Sequence, residues 1–288
     1  FLENKLVKEK NCIITGGTSG LGLALVKKFI NNNFFIHIIA KDNNKIQKLT
    51  NYFHGRNIKS FKFYQADLAE KNELNKVILQ IKNLDNIDVL INNAGALFLK
   101  REVNSEEVEK TFAVNYLSHF YLTISLIDVI KKTKNSRIVN ISSMVHKFAK
   151  LDLSDMNFST NYNGYIAYFN SKLMNLLFSY KINRIYNDCI NCYAIHPGWL
   201  NTNFGNNNHS KIRFLSNFIR NIFAKKPSYV ANEIFNICIN EEYLNYSGKY
   251  LVINKIAKSS DLSYNENLQD ELWQKSLKMI ETHKNEIK

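Results

Sequence analysis

The sequence predicts an α/β domain in which a parallel sheet of seven strands is covered by helices on both faces. Three observations carry that prediction. Short apolar runs of strand length alternate with longer stretches of helical periodicity through the 288 residues. A glycine-rich turn follows the first of these runs directly and opens a helix. Residues with chemistry to offer recur where a strand pattern ends, which is where ligands bind in open parallel sheets.

Residues 11–15 form the first apolar run, and it ends in Gly16-Gly17-Thr18-Ser19-Gly20-Leu21-Gly22. Leu21, Leu25, Val26, Phe29 and Ile30 then recur at helical spacing. Glycines let backbone approach a pyrophosphate, and the helix start supplies free N–H groups and the positive end of a dipole. The β-rich run 34–40 ends at Lys41-Asp42. A cation at the end of the second strand accommodates a ribose 2′-phosphate, whereas an acid binds the 2′-hydroxyl. Lys41 comes first, which favours NADP(H) and leaves NAD(H) open; Asp42 suits the N-cap of the next helix. A strand over 58–64 leads to Ala66-Asp67-Leu68, and a helix follows over 70–82. The strand 87–91 closes on Asn92-Asn93-Ala94-Gly95, a long helix spans 105–132, and 137–142 is the next strand. After a helix around Tyr168, a strand over 190–195 runs into His196-Pro197-Gly198-Trp199, and 249–253 is the seventh strand. No linker, repeat or low-complexity block divides the chain.

Composition narrows the function classes. With 45% hydrophobic and 22% charged residues, the chain has the profile of a globular protein with a full core. No run of about eighteen uninterrupted apolar residues occurs, the length a membrane span needs. The net charge of +13 is spread through every polar stretch. No aromatic-interleaved basic motif of the kind that grips nucleic acid is present. Cys12, Cys189, Cys192 and Cys238 are too scattered for a disulfide framework. They read as core thiols of an intracellular, reducing compartment, cytoplasmic or organellar. No histidine–carboxylate cluster suggests a metal. The chain begins at Phe1, so a targeting or anchoring segment ahead of it stays open.

One pair stands out chemically. On a helix, Tyr168 and Lys172 share a face. A phenol is a poor acid or base near neutral pH, and a neighbouring ammonium stabilises its anion and lowers its pKa. The pair is equipped for general acid–base work.

With these residues assembled, the chain resembles the short-chain dehydrogenase/reductase family over nearly its whole length. The matches stand in that family's order: Thr15-Gly16-x-x-x-Gly20-x-Gly22, Asp67, Asn92 to Gly95, Asn115, Ser143, Tyr168-x-x-x-Lys172, Pro197-Gly198 and Thr202. The resemblance implies one doubly wound, Rossmann-type NAD(P)-binding domain over 1–288, with a lid over 203–226 and a C-terminal extension over 255–288. It implies that Tyr168 is the proton donor in carbonyl reduction and the base in alcohol oxidation. Lys172 then tunes Tyr168 and meets the nicotinamide ribose, Ser143 binds the substrate oxygen, and Asn115 holds a water of a proton relay. Ser143 is preferred to Ser142 as the second serine of the pair. Cofactor contacts are implied for Gly16, Thr18, Ser19, Gly20, Leu21, Gly22, Lys41, Asp67, Leu68, Asn93, Ala94, Gly95, Pro197, Gly198 and Thr202, with Tyr168 and Lys172. The insert 146–164, His196-Pro197-Gly198 and Glu271-Leu272-Trp273 are similar to the retinol-dehydrogenase and WW-domain-oxidoreductase branch. That likeness implies an apolar carbonyl or alcohol substrate of retinoid, steroid or lipid-aldehyde type. A catalytically silent NADP-binding regulator or scaffold of the same fold is the competing reading. Homodimers that pair through the two long helices belong to the family's range.

Two further expectations concern the surface. Ile212, Leu215, Phe218, Ile219, Ile222 and Phe223 lie on one helical stripe, among Lys211, Arg213, Arg220, Lys225 and Lys226. A stripe of this kind packs over its own pocket more often than it docks on a membrane; peripheral membrane contact through 208–226 stays open. His37 and His119 read as packed core residues, and His146 as a residue near the active-site loop.

Overall fold

The computed structural model describes residues 9–198 and 225–281, which build around a single sheet. Strands β1 (Lys10–Thr15), β2 (Phe34–Ala40), β3 (Phe61–Gln65), β4 (Val89–Asn92), β5 (Ser136–Ile141), β6 (Ile190–His196) and β7 (Tyr250–Val252) are parallel. The sheet has eight strands, not seven: β8 (Lys255–Ile256) pairs antiparallel with β7, giving the order β3-β2-β1-β4-β5-β6-β7-β8. The extra strand exists because the chain reverses at Ile253, whose φ of 60° is unusual for a β-branched residue. The Ile253 N–H donating to the His196 carbonyl at 2.8 Å holds that turn in place.

Among the described residues the long helices are α1 (Gly20–Ile30), α2 (Asn43–His54), α3 (Lys71–Ile81), α4 (Lys110–Lys131), α5 (Gly164–Tyr186), α6 (Pro227–Ile239) and α7 (Glu266–Glu281). Side chains alternate along each strand, so the sheet feeds two cores. Cys12, Ile14, Ile36 and Ile38 pack with α1 and α6 on one face. Ile13, Ile39, Leu90 and Ile138 pack with α3, α4, α5 and α7 on the other. Central strands β4 and β5 are buried at every residue, as strands covered on both faces must be. α4 is long and apolar enough to cross a bilayer, but 72% of its apolar window is buried in this fold, so its hydropathy serves the core.

Boundaries differ from the sequence reading where side chains cap or break an element. The predicted helix over 105–132 starts only at Lys110. Asn104 Oδ1 accepts the N–H groups of Glu106 and Val108, Glu107 takes a φ of 60°, and the buried Glu109 carboxylate accepts from Thr111 and Phe112 at 2.8 and 2.7 Å. That carboxylate is the N-cap. Cys12, Cys192 and Cys238 are buried, and Cys189, just before β6, is half-buried at the edge of the core; all four are free. His37 is a satisfied core residue: its Nε2–H donates to Asn11 Oδ1 at 3.0 Å, and Nδ1 takes the Tyr64 hydroxyl at 3.0 Å.

The C-terminal helix is the largest addition to the sequence reading. Trp273 of α7 lies 5.3 Å from the Phe120 ring and 6.1 Å from that of Phe178. Tyr116 and Ser276 share a hydrogen bond of 2.8 Å, and Arg184 reaches Asp270 at 2.8 Å. α7 therefore closes the core beneath the two long helices. Trp273→Ala is expected to lower unfolding free energy by about 3–5 kcal/mol, read from the urea midpoint at unchanged slope.

Candidate active site

The strand order reverses beside β1, which has β2 on one side and β4 on the other, so a crevice opens at the carboxyl ends of β1 and β4. Gly16 (φ 71°) and Gly20 (φ 55°) give the turn after β1 its left-handed corners. A Cβ on Gly22 would lie 2.2 Å from the Gly16 carbonyl oxygen, so no other residue fits. Ser19 is extended and makes no side-chain cap to α1, and the first turn of α1 carries no acid. Its N–H groups therefore face the crevice with a positive dipole end, which fits a dinucleotide pyrophosphate. Thr18, Ser19 and Gly20 are accessible, whereas the Leu21 and Leu68 side chains are buried in the two cores, leaving their backbones to meet a ligand.

Lys41 follows β2, and its ammonium pairs with Asp67 Oδ2 at 2.6 Å while remaining 72% exposed. The hydrogen bond to Asp67 raises the Lys41 pKa and keeps it charged. Asp42 caps α2, accepting the Lys45 N–H at 3.1 Å, as the sequence suggests. Asn93 is turned away from the crevice: its Nδ2 donates to the Thr15 carbonyl at 2.8 Å. The N–H groups of Asn93 and Ala94 both donate to Thr15 Oγ1, at 2.9 and 3.0 Å, and so tie the end of β4 to the end of β1. Gly198 takes a φ of 77° where the chain leaves β6 after Pro197. Thr202, Trp199 and the stripe from Ile212 to Phe223 lie outside the described residues.

Asn115, Tyr168, Lys172 and the Ser142–Ser143 pair come together at the ends of β4 and β5. Asn115 is fully buried in a π-helical turn of α4, Ala113–Leu117, an irregularity that often marks a functional site. Its amide brackets Ala96, accepting the Ala96 N–H at 2.7 Å and donating to the Ala96 carbonyl at 2.9 Å. It also donates to Ser171 Oγ at 3.0 Å, and Ser171 donates to the Tyr168 carbonyl at 2.7 Å. Lys172 lies on the same face of α5 as Tyr168, with its ammonium 5.4 Å from the centre of the phenol ring and donating to the Ile141 carbonyl at 3.1 Å. Ser142 is buried and its hydroxyl donates to the Lys172 carbonyl at 2.9 Å, while Ser143 is the half-exposed serine.

The electrostatics correct one expectation. Lys172 does not leave Tyr168 with a lowered pKa here: burial pushes the phenol up and pushes the Lys172 ammonium down to about 8. Both charged forms are desolvated, and the ammonium lies over the ring. The resting phenol is neutral, the form that gives a proton. His146 is buried, and both of its ring nitrogens are bonded to the protein. Its Nδ1–H donates to the Ser143 carbonyl at 2.6 Å and its Nε2 accepts the Ser260 N–H at 3.0 Å, so it braces the serine loop. Two residues carry more than sequence reasoning assigned them: Thr15, the stitch just described, and His119, whose Nε2 lies 3.1 Å from Thr15 Oγ1. The spacing of Asn115 and His119, one turn apart, was the available signal. Close in sequence to Ser143 and Tyr168, the apolar side chains of Met144, Phe148 and Tyr165 are exposed, and Phe148 packs on Phe169 with ring centres 6.1 Å apart.

A family model described as short chain dehydrogenase matches residues 10–213. Polyprenol dehydrogenase of Homo sapiens is 28% identical over 94% of this chain and 85% of its own length. Retinol dehydrogenase 13 of Homo sapiens is 28% identical over 94% of this chain and 84% of its own. Among solved structures, the carbonyl reductase Sniffer of D. melanogaster matches with a TM-score of 0.64 at 19% identity, covering 88% of this chain and 100% of that one.

Two outcomes follow from this geometry. Gly22→Ala is expected to weaken NADPH binding at least about tenfold, because its Cβ displaces the Gly16 carbonyl; fluorescence titration beside circular dichroism separates this from unfolding. Carbonyl reduction is expected to fall as pH rises through about 8, where Lys172 loses the proton that supports a phenolate. A rate profile flat from neutrality to well above that value removes Lys172 from this role.

Proposed function

This chain belongs to the short-chain dehydrogenase family, oxidoreductases acting with NAD(P) at a CH–OH or C=O carbon, and we propose that it prefers NADP(H) and takes a bulky apolar carbonyl or alcohol. One observation carries the reading: the buried Lys172 shares a helix face with the half-buried Tyr168, and Ser142, next to the half-exposed Ser143, bonds to the Lys172 carbonyl and so ties the serine pair to that helix.

The nicotinamide, when bound, supplies or accepts the hydride. In reduction, Tyr168 gives its phenolic proton to the substrate oxygen. Ser143 donates a hydrogen bond to that oxygen and stabilises the charge developing on it. Lys172, fixed on the Ile141 carbonyl, stabilises the phenolate left behind. Asn115 holds, through Ser171, the helix turn that carries Tyr168. Oxidation runs the same proton in reverse.

Cofactor preference rests on Lys41. Its neighbour Asp42 is committed to capping α2, so the group on offer after β2 is a cation suited to a 2′-phosphate. Substrate class rests on Met144, Phe148, Tyr165 and Phe169, which favour an aliphatic or isoprenoid body over a polar one. The relatives named for polyprenol and retinol support an isoprenoid alcohol or its aldehyde. The four free thiols support a reducing compartment.

The test is NADPH consumption against a panel of retinoid, steroid and lipid aldehydes and ketones. Tyr168→Phe is expected to lose about 10²-fold or more in turnover with NADPH affinity unchanged. Lys41→Ala is expected to weaken NADPH about tenfold and leave NADH unaffected. Tight NADPH binding with no turnover on any carbonyl would support a catalytically silent regulator instead.

A further inference from the structure

His119 is buried at the centre of the molecule, and the site described above does not use it. Its hydrogen bonds fix its chemistry. Nδ1 lies 3.1 Å from the Asn115 carbonyl oxygen, which can only accept, so Nδ1 carries the proton. Burial, with the Lys172 charge nearby, holds the ring neutral, its pKa pushed down to about 3. Nε2 is then a bare acceptor, 3.1 Å from Thr15 Oγ1. The threonine hydroxyl therefore donates to Nε2, and its remaining lone pairs take the N–H groups of Asn93 and Ala94 at 2.9 and 3.0 Å. The Ile91 carbonyl, 3.5 Å from Thr15 Oγ1, is the more distant competitor for the same hydroxyl proton.

The path joins the two halves of the site. At one end, Thr15 and Asn93 set the spacing of β1 and β4 from which the glycine turn springs. At the other, Asn115 stands in the π-helical turn, where Ser118 N–H bonds to Ala113 five residues back. In that turn the side chains of Ser118 and His119 donate to the carbonyls of Val114 and Asn115. His119 thus holds the main chain of Asn115, whose side chain reaches Ser171 and through it the Tyr168 turn.

We propose that His119 is a positioning residue that couples dinucleotide binding at the Thr15–Gly22 turn to the placement of Asn115 and Tyr168. This rests on the oxidoreductase reading above. A ligand ordering the glycine turn fixes Thr15, Thr15 fixes the ring, and the ring fixes the catalytic turn; the reverse coupling is equal in size.

The test combines His119→Phe, which keeps a buried ring and removes both nitrogens, His119→Gln, which keeps one donor and one acceptor, and Thr15→Val. NADPH affinity is measured by fluorescence titration without substrate, turnover separately, and melting temperature on each variant. His119→Phe is expected to weaken NADPH binding about fivefold to fiftyfold and to lower kcat by a similar factor. Thr15→Val should do the same, and His119→Gln should recover a large part of both. The double variant should cost little more than the worse single change, because both cut one path. Losses that multiply in the double variant, or a His119→Phe protein that melts earlier yet binds NADPH like the wild type, overturn the coupling. Should His119→Phe fail to fold, Thr15→Val and His119→Gln decide alone. A wild-type protein that fails to bind NADPH at all sinks the oxidoreductase reading itself, which distinguishes the two failures.

Discussion

The burial of the Lys172 ammonium is the constraint around which this site is organised. At 3% exposure the lysine has left water, and folding lowers its pKa from 10.5 to about 8. At about 1.4 kcal/mol per unit, holding the proton there costs roughly 3 kcal/mol near neutral pH. The surrounding polar groups are arranged to keep that cost from growing. Ile141 offers its carbonyl to Lys172, Ser142 takes the lysine's own carbonyl, and Asn175 reaches Ile141 from the next turn of α5. Behind them, Asn92, Thr123, Asn140 and Ser179 form a buried chain of hydrogen bonds between β4, β5 and the two long helices. Each of these side chains makes at least one hydrogen bond, although the buried Asn92 Oδ1 and Asn175 Oδ1 accept none.

Legibility in the sequence followed distance along the chain. The glycine turn and the Tyr168–Lys172 pair were readable because their geometry is local: a positive φ needs glycine, and residues four apart share a helix face. Asp42 was readable as a cap for the same reason. The ion pair of Lys41 with Asp67 was not, since it depends on β2 and β3 lying side by side. The π-helical turn at Asn115 was also hidden, as nothing in Ala113–Leu117 departs from an ordinary helical sequence. The bracing roles of His119 and His146 were hidden because a histidine's meaning lies in what its two nitrogens meet.

The late start of α4 illustrates how a boundary is set. Hydrophobic periodicity alone extends that helix back to Ser105, yet Asn104 and Glu109 supply side-chain acceptors that compete with helical hydrogen bonds. The buried Glu109 also receives the Tyr162 hydroxyl at 3.0 Å, which ties the insert before α5 to the start of the helix that bears Asn115. Capping and loop anchoring are here one interaction.

The docking of α7 bears on how the chain reaches this state. Ser276 meets Tyr116 across 160 residues of sequence, and Lys71 donates to the Ile280 carbonyl across 209. Contacts so distant are closed late, after the loop entropy between them has been overcome. Trp273 is the ring that covers Phe120 of α4 and Phe178 of the catalytic helix α5. The nucleotide half is built from strands that neighbour one another, while the acid–base half is covered by a segment about a hundred residues beyond it. The packing of the acid–base half is therefore a property of its C-terminal helix as much as of its own residues.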